Sequence, residues 1–218
     1  ELCMLMSDTL IKCGLEKDRF IIKINNRKIF QGILEFFEIK DPKQSLTILR
    51  SIDKFQSVGK KGVLELLTKG RLDKSGDFTK GANLKKEIAE DIFELLSADS
   101  IIRDKKTGVC RLSAGDSLFK IENDTYLEGL KEVDTILSYL GENKEVNIMS
   151  TDLSFKQDMI NFQMDLSVVR GLEYYTGTVM EAETTDTSFW KSSRDANAFK
   201  KIKLGSLSGG GRYDKLVS

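Results

Sequence analysis

Val168-Val169-Arg170-Gly171-Leu172-Glu173-Tyr174-Tyr175-Thr176-Gly177-Thr178 lies between apolar runs near one end of the chain, and the rest can be read outward from it. The alternation that follows predicts a short turn feeding a strand, from Tyr174 to Glu181 and on toward Glu183. Between Arg170 and Thr178 fall a guanidinium, two adjacent phenols, two hydroxyls and two glycines. Arginine suits a phosphate or a carboxylate, because its planar fork donates two parallel hydrogen bonds and keeps its charge. On a strand, Tyr174 and Tyr175 would point to opposite faces, so at most one would share the face of Arg170. Glycine lets a ligand come close to the backbone. The same residues could equally be ordinary strand aromatics beside a surface charge, and physics alone leaves both readings open.

A second stretch, Gly209-Gly210-Gly211-Arg212-Tyr213-Asp214, sits between Leu204-Gly205-Ser206-Leu207-Ser208 and Leu216-Val217. Three glycines at a strand end are hard to explain by packing, since each costs backbone entropy and adds no side chain. A flexible loop is the ordinary alternative, but it accounts poorly for the Arg-Tyr-Asp triplet that follows.

Val168 to Thr178 and Gly209 to Asp214 resemble the two signature motifs of the histidine–tRNA ligase family, which are class II aminoacyl-tRNA synthetases. Phe20-Ile21-Ile22-Lys23-Ile24-Asn25-Asn26-Arg27-Lys28 is similar to the strand and turn that follow the second general motif of that family. The three segments occur in the family's order and together span nearly the whole chain. The resemblance implies an α+β fold, part of an antiparallel-sheet catalytic core interrupted by an all-helical insertion domain. Residues 1–39 and 142–218 would form the discontinuous core, and 40–141 the insertion.

The chain has 218 residues, enough for one large domain or two small ones. Lys plus Arg equals Asp plus Glu at 34 each, so net charge argues neither for nor against nucleic acid. No run approaches eighteen apolar residues, and no charged-then-apolar leader opens the chain, so neither a membrane span nor secretion is signalled. Cys3, Cys13 and Cys110 have no metal-ligand spacing and are odd in number, which suits a reducing cytoplasm. There is no histidine, so a His-based general base and a Ser-His-Asp triad are excluded within this chain. The start at Glu1 and the end soon after a motif that is internal in the family lead us to expect a piece of a longer polypeptide.

In chain order, Glu1 to Cys13 is predicted to be a helix with Leu2, Met6, Leu10 and Cys13 inward and Gly14 as its stop. Cys3 and Cys13 are expected in the core. Phe20 to Asn25 is a strand with Phe20, Ile22 and Ile24 on one face. Asn26 caps a helix to about Glu38 carrying Ile29, Ile33 and Phe37, and Asp41-Pro42 restarts another with Leu46, Leu49, Ile52 and Phe55. Lys60 to Thr68 is a shorter helix. Lys69 to Asn83 and Asp99 to Ser117 are charged connections on either side of a helix from Leu84 to Ser97. Asp124 caps the longest helix, with Leu127, Leu130, Val133, Leu137 and Leu140 inward. The period then changes to two, with Ile160, Phe162 and Met164 on a strand, and Thr184 to Lys203 is a polar, basic-rich loop.

The resemblance also implies roles. Arg170 occupies the position of the arginine that bridges the histidine carboxylate and the α-phosphate of ATP. Tyr174 and Tyr175 match the paired tyrosines of the histidine pocket, and Tyr213 is a further contact to the substrate. Gly209, Gly210 and Gly211 would let the backbone close around it, while Glu173, Thr178 and Arg212 would orient neighbours. No residue is assigned to a metal. L-histidine, ATP with Mg2+, tRNA(His) and a homodimer belong to the implied parent enzyme. Its first, second and third general motifs and its anticodon-binding domain are missing here, so the isolated chain is expected to be inactive. Two other readings stay open. One is the regulatory subunit of ATP phosphoribosyltransferase, a non-catalytic paralogue; the other is a helical module that binds RNA or protein by itself.

Overall fold

Phe20, Ile22 and Ile24 alternate with Ile21 and Lys23, and the strand this pattern predicts is central to the largest sheet. The computed structural model describes residues 1–73, 75–96, 100–103, 110–114, 117–140, 161–169, 171, 174–185 and 206–214. Strand β1 (Phe20–Asn26) pairs in parallel with β7 (Asn161–Met164) and antiparallel with β8 (Thr178–Thr184). Strand β9 (Ser208–Gly211) adds antiparallel to β8, giving the order β7-β1-β8-β9. Phe20, Ile22 and Ile24 are fully buried, while Ile21 and Lys23 on the other face are half-buried. Lys23 meets Asp165 at 3.0 Å and Glu183 at 2.8 Å, tying the three neighbouring strands together. Burial alone would lower the Lys23 pKa, but the two carboxylates outweigh it and the net shift is upward.

Helix α1 (Leu2–Lys12) packs beside β8, where the Cys3 Sγ lies 3.7 Å from the Met180 Sδ. Its buried residues are Cys3, Ser7 and Leu10, with Met6 partly buried against the core, whereas Leu2 and Cys13 do not face inward. Leu2 is 59% exposed and Cys13 lies at the surface. The helix is turned so that its two small residues, Cys3 and Ser7, face inward and allow a closer approach. After a short 3-10 turn, Lys17–Arg19, the chain enters β1.

Helix α2 (Arg27–Phe36) starts where Asn26 caps it, the amide oxygen accepting from Lys28 N at 2.9 Å. It crosses α6 (Asp124–Tyr139) at very short range. A Cβ added to Gly32 would sit 2.5 Å from the Tyr126 Cβ, and one on Gly129 would sit 2.8 Å from the Ile29 backbone N. Asn123, not Asp124, caps α6: its side chain accepts from Tyr126 N and donates to Gly32 O at 2.8 Å, fixing both helices at once. Tyr126, Leu130, Val133 and Leu137 form the buried stripe, and α6 also touches β1, β7 and β8.

Between α2 and α6 lie α3 (Pro42–Asp53), α4 (Phe55–Leu67) and α5 (Lys86–Leu96). Asp41 caps α3 with Pro42 in its first turn. Gly59, at φ +69° and ψ 177°, breaks α4, so a single helical turn from Phe55 precedes the helix expected from Lys60. The expectation of an all-helical block needs correction here, because this stretch also carries five short strands. Strands β2 (Gly70–Leu72) and β3 (Phe78–Lys80) form a hairpin. Its turn is closed by the Asp73 carboxylate, which accepts from Ser75 N and Asp77 N. Strands β4 (Ser100–Arg103), β5 (Cys110–Ala114) and β6 (Ser117–Lys120) form a second antiparallel sheet. Strands of three to five residues are too short to show an alternation among so many charged neighbours. The overall class, an α+β sheet interrupted by a mainly helical insertion, stands.

The principal packing falls into two sets. The sheet, α2 and α6 contact one another, and α3, α4, α5 and the two small sheets contact one another. Helix α6, grouped by its sequence with the insertion, therefore lies in the sheet layer. Among the described residues no helix is long and apolar enough to cross a membrane.

Candidate functional site

Gly171 stands at φ +75°, a left-handed conformation that glycine adopts without strain. Its carbonyl accepts from Tyr174 N at 3.1 Å and Tyr175 N at 2.9 Å, so this segment is a turn and the strand begins only at Thr178. The expected opposition of the two tyrosines therefore does not occur. Extended backbone alternates its side chains, whereas a turn gathers them. The Tyr174 and Tyr175 rings are 4.5 Å apart and line one cavity.

That cavity holds about 120 Å³ and is lined by Val168, Tyr174, Tyr175, Met180, Glu181, Gly209 and Gly210. A single water needs roughly 10–15 Å³ on such a measure, so there is room for a small organic molecule. Tyr213 stands edge-on to both other rings, at 6.1 Å and 6.3 Å, within the range of favourable aromatic pairs. Burial and the neighbouring Tyr174 push the Tyr175 phenol above its ordinary value, so at neutral pH it keeps its proton and can donate it in a hydrogen bond.

The two sequence motifs meet here because β9 pairs with β8: Gly209 lies opposite Glu181, Gly210 opposite Met180 and Gly211 opposite Val179. A Cβ on Gly211 would come within 2.6 Å of the Tyr175 ring, so that ring rests directly on the strand backbone. Gly210 has ordinary space for a Cβ, so packing demands only one of the three glycines.

Arg212 turns away from the cavity and pairs with Asp214 at 2.8 Å, both side chains exposed. The pairing raises the guanidinium pKa, and Arg212 together with Thr176 lowers that of Asp214. The Asp214 carboxylate accepts from Thr176 Oγ1 at 2.7 Å, and Thr176 N donates to Arg212 O at 2.9 Å, which fastens the end of the tyrosine turn to β9. Thr178 is buried at the start of β8, its hydroxyl accepting from Asn26 Nδ2 at 3.4 Å. Arg170 and Glu173 lie outside the described residues, as do Ile160 and the connection beyond Thr185.

Val168, Met180 and Glu181 were not singled out from the sequence. Glu181 left a signal there: a carboxylate set among Val179, Met180 and Ala182 interrupts a buried run. A larger groove of about 510 Å³ lies between α4 and α5, bordered by Lys60, Lys61, Lys86 and Leu64. None of the motif residues borders it. Among the described residues no three His, Cys, Asp or Glu side chains gather as a metal site.

No family model matches the chain. It is 37% identical over 221 residues to the histidine–tRNA ligase of Bartonella bacilliformis, covering 100% of this chain and 40% of that protein. The identity is 39% over 222 residues with the histidine–tRNA ligase of Rhizobium rhizogenes, again over 100% of this chain and 39% of the relative. The chain belongs to the histidine–tRNA ligase family. The crystal structure of histidyl-tRNA synthetase from Nostoc sp. PCC 7120 shares its fold, with a TM-score of 0.59 at 22% identity over 96% of this chain and 38% of that one. The chain thus spans about 40% of the length of its histidine–tRNA ligase relatives.

Proposed function

We propose that this chain forms the amino-acid pocket and the insertion of a longer histidine–tRNA ligase. That enzyme would activate L-histidine with ATP and Mg2+ to histidyl-adenylate, then transfer the histidyl group to tRNA(His). The observation that carries the reading is the cavity itself, where Tyr174 and Tyr175 of one motif converge with Gly209 and Gly210 of the other. The phenols can donate to or accept from an imidazole nitrogen, and the Glu181 carboxylate can accept from an imidazole N–H or the α-ammonium. A pocket of this kind rejects apolar amino acids, whose binding would leave its polar groups unpaired.

In activation, a histidine carboxylate oxygen attacks the α-phosphorus, a new P–O bond forms and pyrophosphate leaves. Two anionic groups must be brought together, and Arg170 is the residue we assign to neutralise both. We place the end of the insertion before Asn123, because α6 packs with the sheet layer. In the complete enzyme, a cytoplasmic homodimer, the insertion would lie over the acceptor end of tRNA. Footprinting that protects only the anticodon stem would count against that position.

Histidine-dependent ATP–pyrophosphate exchange in the full-length protein tests the assignment. Arg170→Ala should slow exchange by about 10²–10³-fold and change histidine affinity much less. Arg170→Lys should restore little, because an ammonium lacks the planar fork. Near-parental exchange by a folded Ala variant would remove Arg170 from the chemistry.

A further inference from the structure

We infer that Asn25 and Arg27 are positioning residues that clamp both flanks of the Gly171 turn and so hold the amino-acid cavity in its binding geometry. The inference rests on reading that cavity as the histidine site.

Asn25 is 1% exposed at the end of β1. Its Nδ2 donates to Leu166 O at 3.2 Å and to Val168 O at 3.0 Å, while its Oδ1 accepts from Asn26 N at 2.7 Å. Both amide hydrogens are thus spent on the strand-side flank of the turn, and Val168 itself lines the cavity. Arg27 takes the opposite flank. Its backbone N donates to Gly177 O at 2.9 Å, and its Nη1 donates to Tyr175 O at 3.0 Å. Asn26, between them, reaches the Thr178 hydroxyl and the Glu132 carboxylate through Nδ2, and caps α2 through Oδ1. Three consecutive residues therefore grip the chain at 166, 168, 175, 177 and 178. The gripped span brackets the Gly171 turn and Tyr174, whose ring lines the cavity.

The residue types fit this task. An asparagine amide donates twice and accepts at once, which Asp and Leu cannot do. An arginine at the first position of a helix has its backbone N–H unused by that helix, so it can serve the loop. A turn held at both ends keeps its ligand contacts in place before substrate arrives, and a displacement of about 1 Å at such contacts can cost about a hundredfold in rate. A purely structural clamp would lower stability and leave the kinetics of the folded enzyme unchanged.

The test uses the full-length enzyme, with exchange rates expressed per folded site and histidine varied at saturating ATP. Arg27→Ala should raise the histidine KM roughly tenfold or more, and Arg27→Lys should recover part of that loss. Asn25→Asp keeps the volume and the Oδ1 acceptor but turns a carboxylate oxygen toward two carbonyls, and should lower kcat as well. If Asn25→Asp does not fold, the half-exposed Arg27 variants decide alone. Because Arg27 acts through Tyr175, the double variant Arg27→Ala/Tyr175→Phe should have a KM within about twofold of the worse single variant. Losses that multiply in the double variant, or variants that shift only Tm while KM and kcat stay parental, overturn the clamp. A parent with no histidine-dependent exchange overturns the proposed function itself, and the clamp with it.

Discussion

The sheet layer and the inserted layer differ in how far their polar side chains reach. In the insertion most described side-chain hydrogen bonds are local: Ser45 to Asp41 O, Thr47 to Lys43 O, Ser51 to Thr47 O and Thr68 to Leu64 O each reach back one helical turn. Gln44 to Ala82 O is an exception. In the sheet layer Thr9 and Thr135 also bond one turn back, but the polar residues beside the cavity and at the helix crossing reach across the chain, as Asn25 does to Val168, Asn26 to Glu132, Arg27 to Tyr175 and Asn123 to Gly32. Local bonds stabilise an element wherever it sits. Distant bonds specify one arrangement of elements, and that arrangement holds the cavity.

If the two layers are separate cooperative units, core truncations should report on one at a time. Ile24→Ala in β1 and Ile48→Ala in α3 each remove a fully buried side chain and should each cost about 2–5 kcal/mol. Amide hydrogen exchange should show Ile48→Ala deprotecting α3, α4 and α5 while β1 and β8 keep their protection. Equal deprotection of β1 would merge the layers into one unit and break the comparison.

A smaller loss is expected where α2 meets α6. Gly32→Ala should destabilise the sheet layer by about 1–3 kcal/mol, because its Cβ would press on the Tyr126 Cβ and Cα and the helices would have to part. Thermal unfolding of the variant measures it, and an unchanged midpoint would mean that the two helices part at no cost. Asp41→Ala should cost about 1 kcal/mol and act on the insertion, since only the α3 cap is lost. Denaturant titration followed through both layers would show whether the effect stays there.

The smallest expected effect depends on pH. Burial would raise the Glu132 pKa, but hydrogen bonds from Lys28 and Asn26 outweigh it and the net shift is downward. A carboxyl depressed in the folded state adds stability above its unfolded pKa and loses it as pH falls through the folded value. Stability should therefore decline below the ordinary glutamate value of about 4.3, and Glu132→Gln should decline less steeply over that window. Both Glu132 and Lys28 remain about a quarter exposed, so the difference is modest. Unfolding curves recorded from about pH 5 to pH 3 would show it, and parallel curves would contradict it.

The sequence carried what is local and lost what is not. The β1 alternation and the caps at Asn26 and Asp41 were legible, since each depends only on residues a few positions apart. The α1 face was misjudged at its ends, because apolar spacing favoured Leu2 and Cys13 while the packing buried Cys3 and Ser7 beside Leu10 and Met6. Tyr174 and Tyr175 resembled strand residues because nothing local announced that Gly171 would bend the chain there. The motifs located the tyrosines and glycines of the cavity. Glu181, Met180 and Val168 came only with the β8–β9 register and the turn. Asn25 and Arg27 looked like the end of a strand and the start of a helix. Their grip on residues more than 130 positions away has no signature in their neighbours.

The parallel pairing of β1 with β7 also sets a timetable for synthesis. Strand β1 ends at Asn26, and its partners begin at Asn161 and Thr178. At about 5–20 residues per second, the ribosome leaves β1 unpaired for roughly 7–30 s after making it. Helices α3, α4 and α5, which pack chiefly on one another, can form within that interval while β1 still waits for its partners. Pulse proteolysis of ribosome-stalled chains ending near residue 160 should find the insertion resistant and the β1 segment still cut.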